Sequence, residues 1–216
     1  MDSLITNDRT KIESSKTGYF PTINSIYSMI PRETRLHMER VGRYSYTMFR
    51  FLYRMNPTII ENEMILEDMD DMELLFRYHD IGRFFIPVSI LNKVEQLTDE
   101  EFQIIKDHAM NAIPAIESIY KKPFSDESMM EWMNIAVYHH ERWDGKGYPE
   151  GKKENEIPLS ARICAIADTY DGITSWKPYK RQQTTRDEAI EIIRKEAGKQ
   201  FDPYLVDVFR ACAIEL

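Results

Sequence analysis

Cysteine is scarce in this chain. Cys164 and Cys212 are the two among 216 residues, each set between apolar neighbours and without CxxC spacing. That pattern excludes a disulfide framework and a zinc knuckle, and leaves two buried thiols. Positive charge is also short, with 28 Lys and Arg against 36 Asp and Glu and a formal net charge of −8. Sequence-independent binding of DNA or RNA needs a basic face, so that class is excluded, while an anionic small molecule remains open if cations cluster locally. No apolar run approaches the ~18 residues of a membrane span, and the opening MDSLITNDRTKIESS lacks the basic-then-apolar order of a secretion signal. The expected compartment is the cytoplasm, with no membrane association. Nor is there an internal repeat, a low-complexity tract or a linker rich in Gly, Pro or Ser. With 43% hydrophobic content, residues 31–216 are expected to form one domain with a substantial core, preceded by a short polar arm over residues 1–30.

Helical periodicity, by contrast, is plentiful. Residues 31–55, PRETRLHMERVGRYSYTMFRFLYRM, set Leu36, Val41, Tyr44, Met48, Phe49 and Leu52 near the i, i+3/i+4, i+7 spacing, and Pro31 suits a first helical turn. Further helices are expected over MDDMELLFRYHDIGRFF, over LTDEEFQIIKDHAMNAIPAIESIY and over DESMMEWMNIAVYHHERW. The second of these opens with the capping box Thr98-x-x-Glu101 and is expected to bend near Pro114. PLSARICAIADTYDGIT, TTRDEAIEIIRKEAG and DPYLVDVFRACAIEL complete a set of about seven, the middle one with the capping box Thr185-x-x-Glu188 and a terminal Gly198. No segment alternates as a strand does. The expected fold class is all-α, a single helical bundle.

All five histidines fall on four of these helices: His37, His79, His108, His139 and His140. His79 is followed by Asp80, and His139 by His140. Adjacent helical positions point ~100° apart, so neither pair serves one ion well from one face; each can instead reach two neighbouring ions across a helix end. Imidazole nitrogens with carboxylate oxygens and no thiolate suit iron, manganese or zinc, rather than calcium or a structural zinc site.

The segments HDIGR (79–83), IPVSILNKVEQLTDEEF (86–102), HHERWDGKGYP (139–149), IPLSARICAIADTYDGITSWKPYK (157–180) and FDPYLVDVF (201–209) resemble the HD-GYP domain, the bacterial branch of the HD-domain phosphohydrolases that degrades cyclic di-GMP. The likeness runs from Arg32 to Phe209. HD alone is a two-residue motif, whereas HHExxDGxGYP fixes many more positions and stands in the right order after it. The resemblance implies an all-α fold of the HD-domain type with a centre of two or three divalent metal ions. Carried over by position, the metal ligands are His37, His79, Asp80, His108, His139, His140 and Asp168. Glu33, one turn before His37 on the same helix face, matches the extra carboxylate of three-metal members, with iron the expected metal and manganese the alternative. An acid in the first turn of a helix is also favoured by the helix dipole with no metal present.

Such a centre implies attack on a phosphodiester by a metal-bridging hydroxide, with the ions neutralising the phosphate oxygens. Asp80 and Arg83 are the expected catalytic residues. Substrate contacts are expected from Arg83, from Tyr148 in the DGKGYP loop, and from Lys177 and Lys180 in the basic run SWKPYKRQQTTR. Asp144-Gly145 and Gly147 are expected in tight turns with positive φ. Glu141 and Asp171 are candidates to orient ligand histidines. The chain departs from the family pattern at Arg83 and Lys177, where the family has Lys and Arg, and at Val88 and Ala112, which read as packing changes. Arginine grips phosphate bidentately but releases no proton at a useful pH. The expected function is hydrolysis of cyclic di-GMP to linear pGpG or GMP. The alternatives are a poorly active module that binds a cyclic dinucleotide or a protein partner, and a hydrolase of another cyclic dinucleotide such as cyclic GMP-AMP. Residues 1–30 hold no recognisable receiver or sensor, so an input signal is expected from a signalling-protein partner, from metal redox state or from a domain outside this chain.

Overall fold

The apolar stripe of residues 31–55 folds as the long helix α2, Arg32–Met55, whose Met38, Val41, Met48, Phe49 and Leu52 are fully buried. Each such side chain contributes about 2 kcal/mol when removed from water. The computed structural model describes residues 22–64, 69–119, 124–175 and 184–215. The other helices are α1 (Ile23–Ser28), α3 (Pro57–Glu63), α4 (Met72–Arg77), α5 (Val88–Leu91), α6 (Asp99–Lys106), α7 (His108–Glu117), α8 (Asp126–Tyr138), α9 (Leu159–Thr174), α10 (Arg186–Lys195) and α11 (Pro203–Cys212), of which α3, α4, α9 and α11 pack most extensively on α2. No β-strand occurs among the described residues, and none of these helices is long and apolar enough to cross a membrane. The bundle is all-α. Every residue of α9 from Leu159 to Ala167 is buried, as befits a helix enclosed on all sides, here by α2, α8, α10 and α11. Cys164 and Cys212 are free and buried.

Eleven α-helices stand among the described residues against the seven expected: α1, α3 and α5 are too short to show periodicity, and one periodic segment divides into α6 and α7. Two of the periodic segments break beside a histidine. In MDDMELLFRYHDIGRFF, α4 stops at Arg77 and a short 3-10 turn, Ile81–Phe85, follows His79 and Asp80. Gly82 drives that turn against α7: a Cβ there would stand 1.9 Å from the His108 carbonyl oxygen and 2.7 Å from the Ala112 nitrogen. Only glycine permits so close a backbone approach. The 98–119 segment breaks at Asp107 rather than near Pro114, which sits inside α7. Here the Ile105 carbonyl accepts a hydrogen bond from His108 Nδ1 at 2.6 Å. The capping boxes at Thr98 and Thr185 form as the sequence indicates.

The expected boundary between arm and domain at residue 30 is displaced. Thr22 caps α1, and Ile26 and Ile30 are 1% and 2% exposed in the same core as α2. Tyr27 donates its hydroxyl to the Arg35 carbonyl and to Glu39, holding α1 against α2. Ile26 within α1 and Ile30 just beyond it suffice to anchor a six-residue helix too short to show periodicity.

Candidate metal centre

Helix ends and breaks deliver the polar groups to one place. His37 projects from α2 and Asp168 from α9; His79 and Asp80 occupy the turn after α4; His108 begins α7; His139 caps α8 and His140 follows it. Two sets of ligand atoms result, one from Asp80, His108, His139 and His140, the other from His37, His79 and Asp168, the atoms of each set lying within 4.8 Å of one another. Asp80, fully buried, joins the sets. Its Oδ1 lies 3.1 Å from His108 Nε2 and 3.7 Å from His139 Nε2, and its Oδ2 lies 3.5 Å from His79 Nε2 and 3.7 Å from His37 Nε2. One carboxylate thus faces both sets, one oxygen to each.

The histidine tautomers follow from their other nitrogens. A carbonyl oxygen only accepts, so a ring nitrogen facing one carries the proton. Nδ1 of His79 faces the Phe76 carbonyl at 3.0 Å, Nδ1 of His108 faces that of Ile105, and Nδ1 of His139 faces those of Ile135 and Ala136 at 3.1 Å. In the neutral ring each Nε2 is then a bare lone pair. These three Nε2 atoms and both oxygens of Asp80 are buried with no hydrogen-bond partner. Buried lone pairs facing one another are destabilising, by about 1–3 kcal/mol for each unsatisfied group, unless a cation stands between them. The donor set therefore fits divalent metal ions, and a nitrogen and oxygen set without thiolate fits iron, manganese or zinc.

Protonation is arranged to match. Burial by itself raises the Asp80 carboxyl, but Arg83, His79 and His108 outweigh it and hold it well below the usual carboxylate range. Burial likewise raises Asp168, and the His37 hydrogen bond and charge more than reverse it. Burial lowers His139 strongly, helped by His140, and lowers His140 to about 3, helped by His108. His37 goes the other way. Burial lowers it, yet hydrogen bonds to Asp168 and Asp171 prevail and raise it to about 9. Its Nε2 is 3.0 Å from Asp168 Oδ1, and its Nδ1 donates to Asp171 Oδ2 at 2.7 Å.

Of the two residues expected to orient a histidine, Asp171 is hydrogen-bonded to one of the cluster, His37. Arg40 fixes Asp171 in turn through Nε at 2.6 Å and Nη2 at 3.0 Å, and Ser175 donates its hydroxyl to the same carboxylate. Arg83 Nε lies 2.6 Å from Asp80 Oδ2, an ion pair whose N–H is not aligned for a hydrogen bond. Tyr148 stacks on His140 with ring centroids 4.8 Å apart.

Other sequence candidates lie elsewhere. Glu33 is outside the cluster: its side chain is 84% exposed and pairs with Arg32 at 3.1 Å, in a first turn where the helix dipole favours an acid. Glu141 touches no ligand histidine by hydrogen bond; its Oε1 accepts from the backbone of Glu150 and Gly151 and ties down the DGKGYP loop. Gly145 has positive φ, +74°, as expected, but Gly147 does not; a Cβ on Gly147 would instead stand 2.5 Å from the Arg142 nitrogen and the Glu141 Cα. Lys177 and Lys180 fall outside the described residues. Arg40 was not a sequence candidate, although it stands one turn after His37 on the same face.

A helical bundle with a buried histidine and aspartate centre at the breaks of its helices defines a class, and comparison with known proteins gives it a family. The HD domain family matches residues 61–205. The chain is 36% identical over 190 residues to the cyclic di-GMP phosphodiesterase of Thermotoga maritima, covering 87% of this chain and 46% of that protein. It is 31% identical over 199 residues to the 3′3′-cGAMP-specific phosphodiesterase 2 of Vibrio cholerae, covering 91% of this chain and 34% of that protein. Among solved structures, Bd1817, an HDG"Y"P protein from Bdellovibrio bacteriovorus, shares the fold with a TM-score of 0.55 at 17% identity, over 81% of this chain and 50% of its own. This chain belongs to the HD domain family, in its HD-GYP branch. It spans less than half the length of the curated relatives it matches.

Proposed function

We propose that this domain is a metal-dependent phosphodiesterase that hydrolyses cyclic di-GMP to linear pGpG or GMP, with two ions, iron or manganese, held by the two ligand sets. The observation that carries the reading is the bridging position of Asp80 among buried, unpartnered Nε2 atoms. The activities of the relatives support a cyclic dinucleotide, and that of the Thermotoga maritima protein is on cyclic di-GMP. Bound divalent ions supply Lewis acidity at a phosphate and a water of lowered pKa.

The chain's own residues do the rest. His79, His108 and His139 are locked by backbone carbonyls with Nε2 inward, so no rotamer search precedes binding. Asp80 and Asp168 stay ionised and offset the cationic charge. Arg83, its side chain 23% exposed beside Asp80, adds fixed positive charge for a phosphate oxygen and leaves protonation of the departing oxygen to water, because guanidinium does not release a proton. Tyr148 covers His140 and limits water on that side. Lys177 and Lys180 are assigned to substrate phosphate from their place in the family pattern alone.

The test is a timed incubation of reduced, iron- or manganese-loaded protein with cyclic di-GMP and, separately, 3′3′-cGAMP, with products resolved by chromatography. Formation of pGpG or GMP, abolished by His79→Ala, is expected. Faster turnover of 3′3′-cGAMP would reassign the substrate, and tight binding without product would make the domain a binding module.

A further inference from the structure

We infer that Lys106 and Phe102, on the face of α6 beside the metal centre, form a subsite for the second nucleotide of a cyclic dinucleotide, the ammonium taking the non-reacting phosphate and the ring taking a base. The inference rests on the phosphodiesterase reading and adds to it the residues that recognise the far half of the substrate. A cleft of about 290 Å³ opens beside the ligands and is lined by Phe102, Lys106, His139, His140, Tyr148 and Asp168 among others. It has room for only part of a cyclic dinucleotide, so the remainder must lie along its rim. Lys106 Nζ stands 4.9 Å from the centroid of Phe102 and 5.3 Å from that of Tyr148, whose ring rests on His140.

Charge pairing narrows the free cations of the cleft to Lys106 and Lys146, and the two rings over Lys106 distinguish it. Arg40 is paired with Asp171, Arg83 with Asp80 and Arg142 with Asp144, whereas Lys106 has no carboxylate partner among the described residues. Lys146, on the same rim, is exposed and is not held by a pair of rings among the described residues. Two aromatic faces hold the Lys106 ammonium in place, yet they accept none of its three N–H donors, which stay available to an anion. A cation in the last turn of α6 is favoured by the helix dipole, but the dipole gives no reason for a second ring, from a loop some forty residues later, to close over it. Phe102 is 49% exposed, an apolar ring left open at the mouth of a polar cleft. Every nucleobase has a π-face that such a ring can stack on. Tyr148 is less suited, since it carries both His140 and Lys106, whereas Phe102 carries Lys106 but no stacked ring among the described residues. A substrate with two phosphates brings one to the metal centre and needs a counter-charge for the other in a chain of net charge −8.

The experiment compares cyclic di-GMP with bis(p-nitrophenyl) phosphate, a diester with one phosphate and no nucleobase, on manganese-loaded protein comprising residues 1–216. Lys106→Met is expected to lower the ratio of kcat/KM for cyclic di-GMP to that for the small diester about tenfold, mainly through KM, as loss of a charge-assisted contact does. Lys106→Arg should restore most of the ratio, and Phe102→Ala should lower it about fivefold or more. An unmoved ratio in Lys106→Met, whether both activities hold or fall together, overturns the subsite. Wild-type protein that cleaves the small diester and neither cleaves nor binds cyclic di-GMP overturns the substrate reading itself, and the subsite with it.

Discussion

Replacing Asp171 by Asn changes one charge and almost no volume, at a residue that is 1% exposed. The carboxylate accepts from His37 Nδ1, from Arg40 Nε and Nη2 and from the Ser175 hydroxyl. An amide has only one acceptor oxygen, so in either orientation its NH2 meets a donor: Arg40 Nε on one side, or His37, Arg40 Nη2 and Ser175 on the other. A hydrogen bond to a charged group contributes about 1.5–3 kcal/mol. Arg40 keeps 32% of its side chain in water and recovers part of that, so metal-free protein should lose about 2 kcal/mol. Removing a group that orients a ligand histidine weakens metal affinity about 10- to 100-fold. The pH dependence gives a second reading. His37 holds a proton up to about 9, and a metal must displace it, so wild-type affinity should climb roughly tenfold per unit from pH 7 to about 9 and then level. In Asp171→Asn the Asp168 hydrogen bond alone sustains His37, and the levelling should come at lower pH. Competition with a chromophoric chelator for manganese at pH 7, 8 and 9, with urea unfolding alongside, measures both. Affinity within about threefold of wild type and an unshifted pH profile would refute the orienting role.

Gly82→Ala should destabilise the protein by about 3 kcal/mol, ~10 °C in Tm, and lower its metal content, because the new Cβ meets backbone atoms that cannot yield cheaply; a Tm unchanged within ~2 °C would contradict this. Acid should weaken the metal-free fold. His139 and His140 are held neutral, His140 down to about 3, so below about pH 6.5 the unfolded chain binds protons that the folded one refuses, at up to about 1.4 kcal/mol per pH unit for buried His139 and less for half-buried His140. His37 is protonated in both states there, and its own contribution fades only between 6.5 and about 9. Urea midpoints in chelator should therefore fall between pH 6.5 and 5.5, and a rise would oppose the assignment. Glu33→Gln should leave the number of bound ions unchanged, since Glu33 faces solvent beside Arg32; loss of one ion by elemental analysis would restore Glu33 as a ligand.

Much of this was legible because histidine is rare and α2 is strongly periodic. A stripe at 3.6-residue spacing survives any tertiary context, and five histidines on four predicted helices leave few arrangements. The breaks at His79 and His108 were not legible, since helix interruption by a side chain that bonds a carbonyl three residues back has no periodic signature. Glu33 shows the opposite failure: an acid one turn before a histidine reads the same whether it serves an ion or the helix dipole. Arg40 could have been found, as the cation at i+3 from His37 and the natural partner of Asp171. Lys106 could not, because what marks it is the approach of Tyr148 from a distant loop.

The central claim is that Asp80 joins two metal-ligand sets into one centre. Elemental analysis of protein purified without chelator, wild type against Asp80→Ala, tests it most directly when each sample is also given cyclic di-GMP. The account predicts about two iron or manganese ions per wild-type chain with product formed, and loss of both ions and of product together in the variant. A variant that keeps one ion at full occupancy would contradict the bridge, and wild-type protein that binds no divalent metal would contradict the centre altogether.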